Sequence, residues 1–320
     1  MHFVILGGGA LGTILSGHLT NAGHRVQLVA RGKRADAIEA QGLCLRGLSE
    51  FDGRCEVVRD PSTLTAADVF INTVKTYDSV AALAGCARLT PGLALSVQNG
   101  VVKEDELVAR FGAAVTLGAM ADFSGELRDD GTVLFTRNIN LMLGELGGGI
   151  SARASALAAA IATSGVNARA VDNIVTVEWS KYTGWLALMV LSVLVRQPTG
   201  DFLSDPETAQ VAAAIVRETA ALAAHRDIAL LDGSPIPARR VLDAPNEAAA
   251  IAVVQQAGAT LRAQAPAHRM SSLQDLLRGR RLELEETVGY ALRLGVEYGA
   301  LMPTLTTCYR LAAALNRTLA

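Results

Sequence analysis

The first twelve residues constrain the fold of this chain more than any other stretch. Residues 3–6 form a short apolar run that is typical of a buried parallel strand. The run leads directly into Gly7-Gly8-Gly9-Ala10-Leu11-Gly12, which matches G-x-G-x-x-G. Apolar residues then follow at helical spacing, at positions 11, 14, 15 and 19. We therefore predict a strand, a glycine turn and a helix in immediate succession.

Each glycine of this motif has its own mechanical task in a dinucleotide-binding turn. Gly7 permits the sharp turn, Gly9 lets the backbone approach a pyrophosphate, and Gly12 lets the helix pack closely on the strand. The N-terminus of the helix supplies backbone N–H groups and a positive dipole end for phosphate. The alternative, a purely structural glycine turn, explains the position between a strand and a helix less well.

The residue after the second predicted strand, 25–30, indicates which dinucleotide is bound. NAD-dependent proteins place an acidic residue there to hold the ribose 2′-hydroxyl. This chain has Arg31 instead, with Lys33 or Arg34 available to assist. Because a guanidinium suits a phosphate dianion, we predict NADP(H) as the cofactor. The alternative is that these are ordinary solvated charges beside the next helix.

Length and charge exclude several other classes of protein. The 320 residues suffice for two domains, and the net charge of −2 gives no reason to expect nucleic acid or an anionic membrane as a partner. The most apolar run, 185–195, is too short to span a bilayer, and the N-terminus lacks the basic region of a signal peptide. We expect a cytoplasmic protein. Its four scattered cysteines predict reduced thiols and no metal site.

The remaining chain divides by character. Residues 1–172 predict a Rossmann-type, doubly wound α/β domain that binds NADP(H), and residues 173–320 predict an all-helical domain that binds substrate. The α/β part includes predicted strands at 69–74, 93–97 and 115–120, two strands within 131–144, and a last strand at 168–171. The predicted helices of the second part are 174–195, 207–224, 246–263, 272–279, 282–299 and 305–319, with loops at 230–237 and 264–270.

Several residues lie where chemistry is expected, although each has a plainer interpretation. Lys75 and Asn99 follow predicted parallel strands, at the sheet edge where ligands bind; a surface lysine and an Asn-Gly turn are the alternatives. Lys181 lies near the start of a very apolar predicted helix. Partial desolvation there would lower its pKa; the alternative is that the side chain reaches out to water.

Two polar groups near the end of the chain are ambiguous in the same way. Ser271 and Ser272 match an ordinary helix cap. Glu283 and Glu286 match the charged face of a helix.

Taken in order, these features resemble the ketopantoate reductase (2-dehydropantoate 2-reductase) family along essentially the whole chain. The pattern consists of eight spaced features: Gly7–Gly12, Arg31, Val74-Lys75, Gln98-Asn99-Gly100, Trp179-Ser180-Lys181, Pro198-Thr199-Gly200, Ser271-Ser272-Leu273-Gln274-Asp275 and Glu283. The resemblance implies NADPH-dependent reduction of a 2-keto acid to a 2-hydroxy acid, and an association with pantothenate biosynthesis.

The resemblance also implies a role for individual residues. Lys181 matches the proton donor, which stabilises and then protonates the alkoxide formed at the ketone. Asn99 and Lys75 match residues that hold the nicotinamide side of the cofactor and the substrate. Ser271 matches a substrate hydrogen-bonding residue, and Glu283 matches an acidic residue beside nicotinamide and substrate that could pair with a lysine.

The substrate positions depart from the family pattern. Where the family has three asparagines, this chain has Trp185, Met189 and Thr199. An altered pocket that lacks those amides cannot select for a substrate hydroxyl, so a more apolar or smaller 2-keto acid than ketopantoate is expected.

Two other functions remain open at this point. One is a related reductase of another keto acid or of an imine, as in opine-type dehydrogenases, and the other is a non-catalytic NADP(H)-binding sensor whose pocket is filled. The apolar helical part also suggests a homodimer.

Overall fold

The computed structural model describes residues 1–233 and 235–319. Ser234, inside the predicted loop 230–237, and Ala320, at the end of the predicted second domain, lie outside the described residues. The chain forms two compact units, Met1–Ile174 and Val175–Ala320.

The first unit contains ten strands in two sheets. They are β1 (His2–Leu6), β2 (Arg25–Val29), β3 (Leu43–Gly47), β4 (Phe51–Gly53), β5 (Glu56–Val58), β6 (Ala66–Asn72), β7 (Thr90–Ser96), β8 (Gly118–Leu127), β9 (Val133–Gly144) and β10 (Ala168–Ala170). Its helices are α1 (Ala10–Asn21), α2 (Gly32–Gln41), α3 (Ser79–Gly85), α4 (Lys103–Phe111) and α5 (Ala152–Thr163).

The first sheet is entirely parallel and has the order β5-β2-β1-β6-β7. Alternate residues of β1 enter two separate apolar cores. Phe3 and Ile5 pack with residues of α1, α2 and α5, whereas Val4 and Leu6 pack with residues of α3 and α4. Helices therefore cover both faces of a buried parallel sheet. This confirms the predicted doubly wound, Rossmann-type fold.

The second sheet is mixed and corrects part of the prediction. Its order is β10-β9-β3-β4, and β8 pairs with β9 in an antiparallel hairpin. The two strands predicted within 131–144 are one continuous strand, because the turn near Gly131 precedes β9 and joins it to β8. The predicted strand at 115–120 likewise begins at Gly118 and runs on to Leu127.

In residues 175–233 and 235–319 of the second unit, the regular secondary structure is entirely helical. It contains α6 (Ile174–Val195), α7 (Thr199–Ser204), α8 (Pro206–Ala224), α9 (Ala238–Asp243), α10 (Glu247–Gln264), α11 (Ser271–Leu277), α12 (Tyr290–Tyr298) and α13 (Pro303–Asn316). The bounds of α6 agree with the prediction, whereas the short helices α7 and α9 were not predicted. Among the described residues, no helix is both long enough and apolar enough to cross a membrane.

Two devices fix the helices of this unit against each other. Gly200 and Gly258 let α7 and α10 cross closely, since a Cβ at Gly200 would lie 2.7 Å from the backbone nitrogen of Arg262 and one at Gly258 would lie 2.6 Å from that of Ser204. The carboxylate of Glu218, on α8, accepts the N–H groups of Thr304 and Leu305 at 2.9 Å each and so caps the first turn of α13.

Candidate active site

The glycine turn, Gly7–Gly12, has the geometry that its sequence predicts. Gly7 has φ +116°, a region that side chains rarely adopt, and its N–H donates to the carbonyl of Val29 at 3.0 Å. A Cβ at Gly12 would overlap the carbonyl oxygen of Gly7 and lie 2.6 Å from Thr73 Oγ1. Neither glycine can therefore carry a side chain without displacing the turn.

The N-terminus of α1 can receive an anion. Gly9 is the N-cap residue and is exposed, and no described side chain caps the helix. A Cβ at Gly9 would meet no described atom within 4 Å. Gly8 is buried, while Ala10 and Leu11 are half-buried and open the helix without an acidic residue. The first-turn N–H groups and the helix dipole thus fit the pyrophosphate of a dinucleotide.

Two side chains that sequence reasoning missed or misassigned hold this turn. Thr73 Oγ1 donates to the carbonyl of Gly7 at 2.8 Å. Arg34, predicted as a possible phosphate ligand, instead donates from Nε to the carbonyl of Gly8 at 2.7 Å, from Nη2 to Thr13 Oγ1 at 2.8 Å and from Nη1 to the carbonyl of Gly131 at 2.8 Å. Burial lowers the pKa of Arg34. Its guanidinium braces the turn, and the sequence carried no local signal for contacts that span up to 97 residues.

Arg31 lies at the end of β2, where it is the N-cap residue of α2 and is exposed. Its charge helps to lower the pKa of Asp60, although hydrogen bonds from Ser62 are the larger cause. Lys33 is also exposed, in the first turn of α2. Both cations are therefore accessible to an anion beside the carboxyl end of β2.

Lys75 and Asn99 lie at the same edge of the sheet, each three residues beyond the end of its strand. Both side chains are half-buried. Arg31 follows β2 and Asn99 follows β7, so three strand spacings, roughly 14 Å, separate the two strand ends, with the glycine turn between them. The first unit thus gathers four predicted cofactor contacts along one edge.

In the second unit, three predicted site residues form a stripe on α6. Lys181, Trp185 and Met189 follow at intervals of four residues, which places them on one face of the helix. Lys181 is half-buried, while Trp185 and Met189 are 7% and 1% exposed. The stripe therefore joins one cation to a large apolar surface.

The two serines at the start of α11 differ in role. Ser272 is buried, and its hydroxyl lies 2.9 Å from that of Ser192 on α6. Ser271 is exposed and is the first residue of α11, whose N-cap is Met270. The hydroxyl of Ser271 is therefore not an N-cap, contrary to the plainer interpretation of its sequence.

Glu283 was predicted to lie on a helix, but it lies just before one. A π-helical turn, Glu285–Gly289, follows it and leads into α12. π-helical turns are rare in proteins, and those that occur are often found at functional sites. The hydroxyl of Thr287 donates to the carbonyl of Glu283, and the buried Tyr182 donates to the carbonyl of Thr287 at 2.7 Å. Tyr182 follows Lys181 directly, so this chain of bonds ties the Glu283 segment to the part of α6 that carries Lys181. Burial raises the pKa of the neighbouring Glu286.

Thr199, predicted to bind substrate, is completely buried. Its hydroxyl lies 3.0 Å from His268 Nδ1, and its N–H donates to the carbonyl of His268 at 2.8 Å. This geometry favours a packing role, in which Thr199 joins α7 to the segment before α11. In the described part of the chain, no cluster of histidine, cysteine and acidic side chains could hold a metal ion.

The first unit has a glycine turn between a parallel strand and a helix, and a basic residue at the end of the second strand. A helical unit follows it in the sequence. This combination defines the class of nicotinamide-dinucleotide-dependent oxidoreductases. Two family models divide the chain in the same way. "Ketopantoate reductase PanE/ApbA" matches residues 3–148, and "Ketopantoate reductase PanE/ApbA C terminal" matches residues 173–316. The chain belongs to the ketopantoate reductase family, which confirms the resemblance predicted from the sequence.

Individual relatives agree with this assignment. A 2-dehydropantoate 2-reductase from Archaeoglobus fulgidus is 29% identical over 317 residues, 98% of this chain and 94% of that protein. A crystal structure of a PanE/ApbA family ketopantoate reductase from Ralstonia eutropha JMP134 has a TM-score of 0.82 and 27% identity, and covers 99% of both chains. A ternary structure of D-mandelate dehydrogenase with NADH and anilino(oxo)acetate shares the fold, with a TM-score of 0.86 at 22% identity, and covers 100% of this chain and 99% of that one.

Proposed function

We propose that this chain uses NADPH to reduce a 2-keto acid to the corresponding 2-hydroxy acid. The observation that carries the proposal is the stripe on α6, where a half-buried lysine adjoins two buried apolar side chains. Membership of the ketopantoate reductase family over both units supports the same reaction.

The residues of the first unit would hold the cofactor. The first-turn N–H groups of α1 would bind the pyrophosphate, Arg31 the 2′-phosphate, and Lys75 and Asn99 the nicotinamide end. Lys33 would assist Arg31, and Glu283 would contribute from the second unit. When bound, NADPH supplies the hydride. A bidentate guanidinium and the absence of an acidic residue at the end of β2 both favour NADPH over NADH.

Lys181 would act on the carbonyl oxygen of the substrate. Its ammonium stabilises the negative charge that develops on this oxygen and then donates a proton to it. Ser271 would donate a hydrogen bond to the substrate, and Glu283 would pair with a lysine or accept a hydrogen bond from a hydroxyl group.

Trp185 and Met189 would select the side chain of the substrate. Met189 offers only a weak acceptor and Trp185 only its indole N–H, so the pocket has fewer groups than three asparagines would give to select for a substrate hydroxyl. The hydroxyl of Thr199 is already engaged with His268. We therefore expect an apolar 2-keto acid, branched or aromatic, to have a higher kcat/KM than ketopantoate.

A panel of 2-keto acids tests this proposal. Branched aliphatic acids, phenylglyoxylate and ketopantoate would be compared by NADPH absorbance, with NADH in parallel. Lys181→Met should lower kcat by about 10²- to 10⁴-fold and leave NADPH affinity unchanged. Lys181→Arg is the matched control for charge, and it should retain keto-acid binding while it loses most of the turnover.

Each contrary result identifies a different error. Tight NADPH binding without turnover would make the chain a sensor, and turnover that requires an added amine would indicate an imine reductase. Equal use of NADH would overturn the role of Arg31. In that case Arg31→Ala would change KM for both cofactors equally, rather than raising KM for NADPH alone.

Three further predictions from the sequence stay proposals. A homodimer would be tested by light scattering; a ketopantoate reductase from Staphylococcus aureus with the same fold is described as dimeric. Cytoplasmic location and a place in pantothenate biosynthesis would be tested by fractionation and by complementation of a pantothenate auxotroph.

A further inference from the structure

Buried polar side chains at the carboxyl ends of β6 and β7 form a connected network that the proposed chemistry does not use. Asn72 ends β6 and Ser96 ends β7, and the two are register partners. Asn72 Nδ2 donates to Gln98 Oε1 at 3.2 Å and to Ser79 Oγ at 3.1 Å, and Ser96 Oγ donates to Gln98 Oε1 at 2.8 Å. All four side chains are buried, where an unmade hydrogen bond would be costly.

The network holds the backbone of Val74 from both sides. Asn72 Oδ1 accepts the N–H of Val74 at 3.3 Å, and Gln98 Nε2 donates to the carbonyl of Val74 at 2.9 Å. Val74 directly precedes Lys75, and Gln98 directly precedes Asn99. One carboxamide therefore connects the two loops that carry these predicted cofactor contacts.

A carboxamide makes this connection at any pH. Two donors, from Asn72 and Ser96, face one end of the Gln98 side chain, and a carbonyl faces the other end. The side chain must therefore accept at one end and donate at the other, which fixes the orientation of its amide. An ionised carboxylate could accept but could not donate.

We propose that Gln98 is a positioning residue that sets the placement of Lys75 relative to Asn99, and with it the binding of the nicotinamide end of the cofactor. This inference rests on the proposed function of those two residues. Site residues whose supporting contacts are lost drift from productive geometry, and a shift of about 1 Å can cost about 10²-fold in rate.

Gln98→Glu tests the inference, and the chain offers a matched control. At pH 8 the carboxylate of the variant would repel the carbonyl of Val74, so we expect a roughly tenfold weaker Kd for NADPH and a 10- to 100-fold lower kcat/KM. As the pH falls towards 5.5, the carboxyl group becomes protonated and regains a donor. The Kd for NADPH and the kcat/KM of the variant should then both approach the wild-type values. Gln27→Glu makes the same change on β2, where Gln27 Nε2 donates to Glu56 at 2.6 Å, and should lower stability without altering either constant.

Two further readouts keep the test decisive. Gln98→Asn adds no charge but is too short to reach the carbonyl of Val74, so it should reproduce the loss without recovery at low pH. Amide hydrogen exchange in peptides that cover residues 74–76 and 99–100 should accelerate in both Gln98 variants and stay at the wild-type rate in Gln27→Glu.

The outcomes separate this inference from the proposed function. Wild-type affinity, turnover and exchange in both Gln98 variants would overturn the inference, as would an equal loss in Gln27→Glu. If the wild-type chain binds NADPH but reduces no keto acid, the proposed function fails, and the NADPH affinity of the Gln98 variants still decides the role of Gln98.

Discussion

Alanine substitutions at Gly9 and Gly12 should separate ligand binding from folding within one motif. A Cβ at Gly12 would overlap the carbonyl of Gly7, and its 2.6 Å distance from Thr73 Oγ1 falls 0.8 Å short of the 3.4 Å at which ordinary contact begins. The helix or the turn must move by more than that amount, because the overlap with the carbonyl of Gly7 is the larger of the two, at a cost of at least about 1–3 kcal/mol in the free energy of unfolding.

Gly9→Ala should behave in the opposite way. The added methyl group meets no described atom within 4 Å, and the φ of −72° suits alanine. Loss of a favourable N-cap residue and reduced freedom of the unfolded chain nearly offset each other, so stability should change by less than about 1 kcal/mol. A pyrophosphate held off the N–H groups would lose about 1.5–3 kcal/mol of charged hydrogen bonding, which is roughly a 10- to 150-fold weaker Kd.

Urea unfolding and NADPH fluorescence titration of both variants provide the measurement. Gly12→Ala should lose both stability and affinity, whereas Gly9→Ala should lose affinity alone. NADPH that binds to Gly9→Ala with wild-type affinity would refute the reasoning, because the dinucleotide would then not cross the N-terminus of α1.

Three further outcomes concern stability. Burial lowers the pKa of His18 below 6.5, so the folded state favours the neutral imidazole. The free energy of unfolding should therefore fall by up to about 1.4 kcal/mol per pH unit as the pH drops below 6.5. The His18→Asn variant should not show this pH dependence. Tyr182→Phe should cost about 1–2 kcal/mol in urea unfolding, because the carbonyl of Thr287 loses its buried donor. Gly200→Ala should push α7 away from α10, which should cost about 1–3 kcal/mol in the free energy of unfolding and lower the melting temperature. Gly147→Ala is the control, because a Cβ there would meet no described atom within 4 Å, and it should leave the melting temperature nearly unchanged.

The local sequence pattern was sufficient to predict the elements that consist of a continuous apolar stretch. The apolar run before the glycine turn predicted β1, and the long apolar stretch 174–195 predicted α6 to the residue. The hairpin of β8 and β9 was predicted wrongly, because the polar residues Asn138 and Asn140 interrupt the apolar pattern inside one strand. Short helices such as α7 gave too few residues for a period to be recognised.

The predicted site residues were found from motifs, but their supports were not. Thr73, Arg34 and Gln98 act through contacts between residues that are distant in the sequence. The same limitation applies to Glu283, since a π-helical turn differs from an α-helix only in having i→i+5 in place of i→i+4 hydrogen bonds, which leaves no distinct pattern in the sequence. Sequence spacing identifies which groups carry chemistry, whereas tertiary contacts determine how firmly they are held.

The bond from Arg34 to the carbonyl of Gly131 has a consequence for how the protein is made. A nascent chain that ends at residue 100 contains all the strands of the parallel sheet, yet it lacks the acceptor that completes the brace of the glycine turn. The nucleotide-binding end of the molecule can reach its final geometry only after the β8–β9 hairpin leaves the ribosome. An excised βαβ fragment from the N-terminus would accordingly be a poor donor for grafting into another protein.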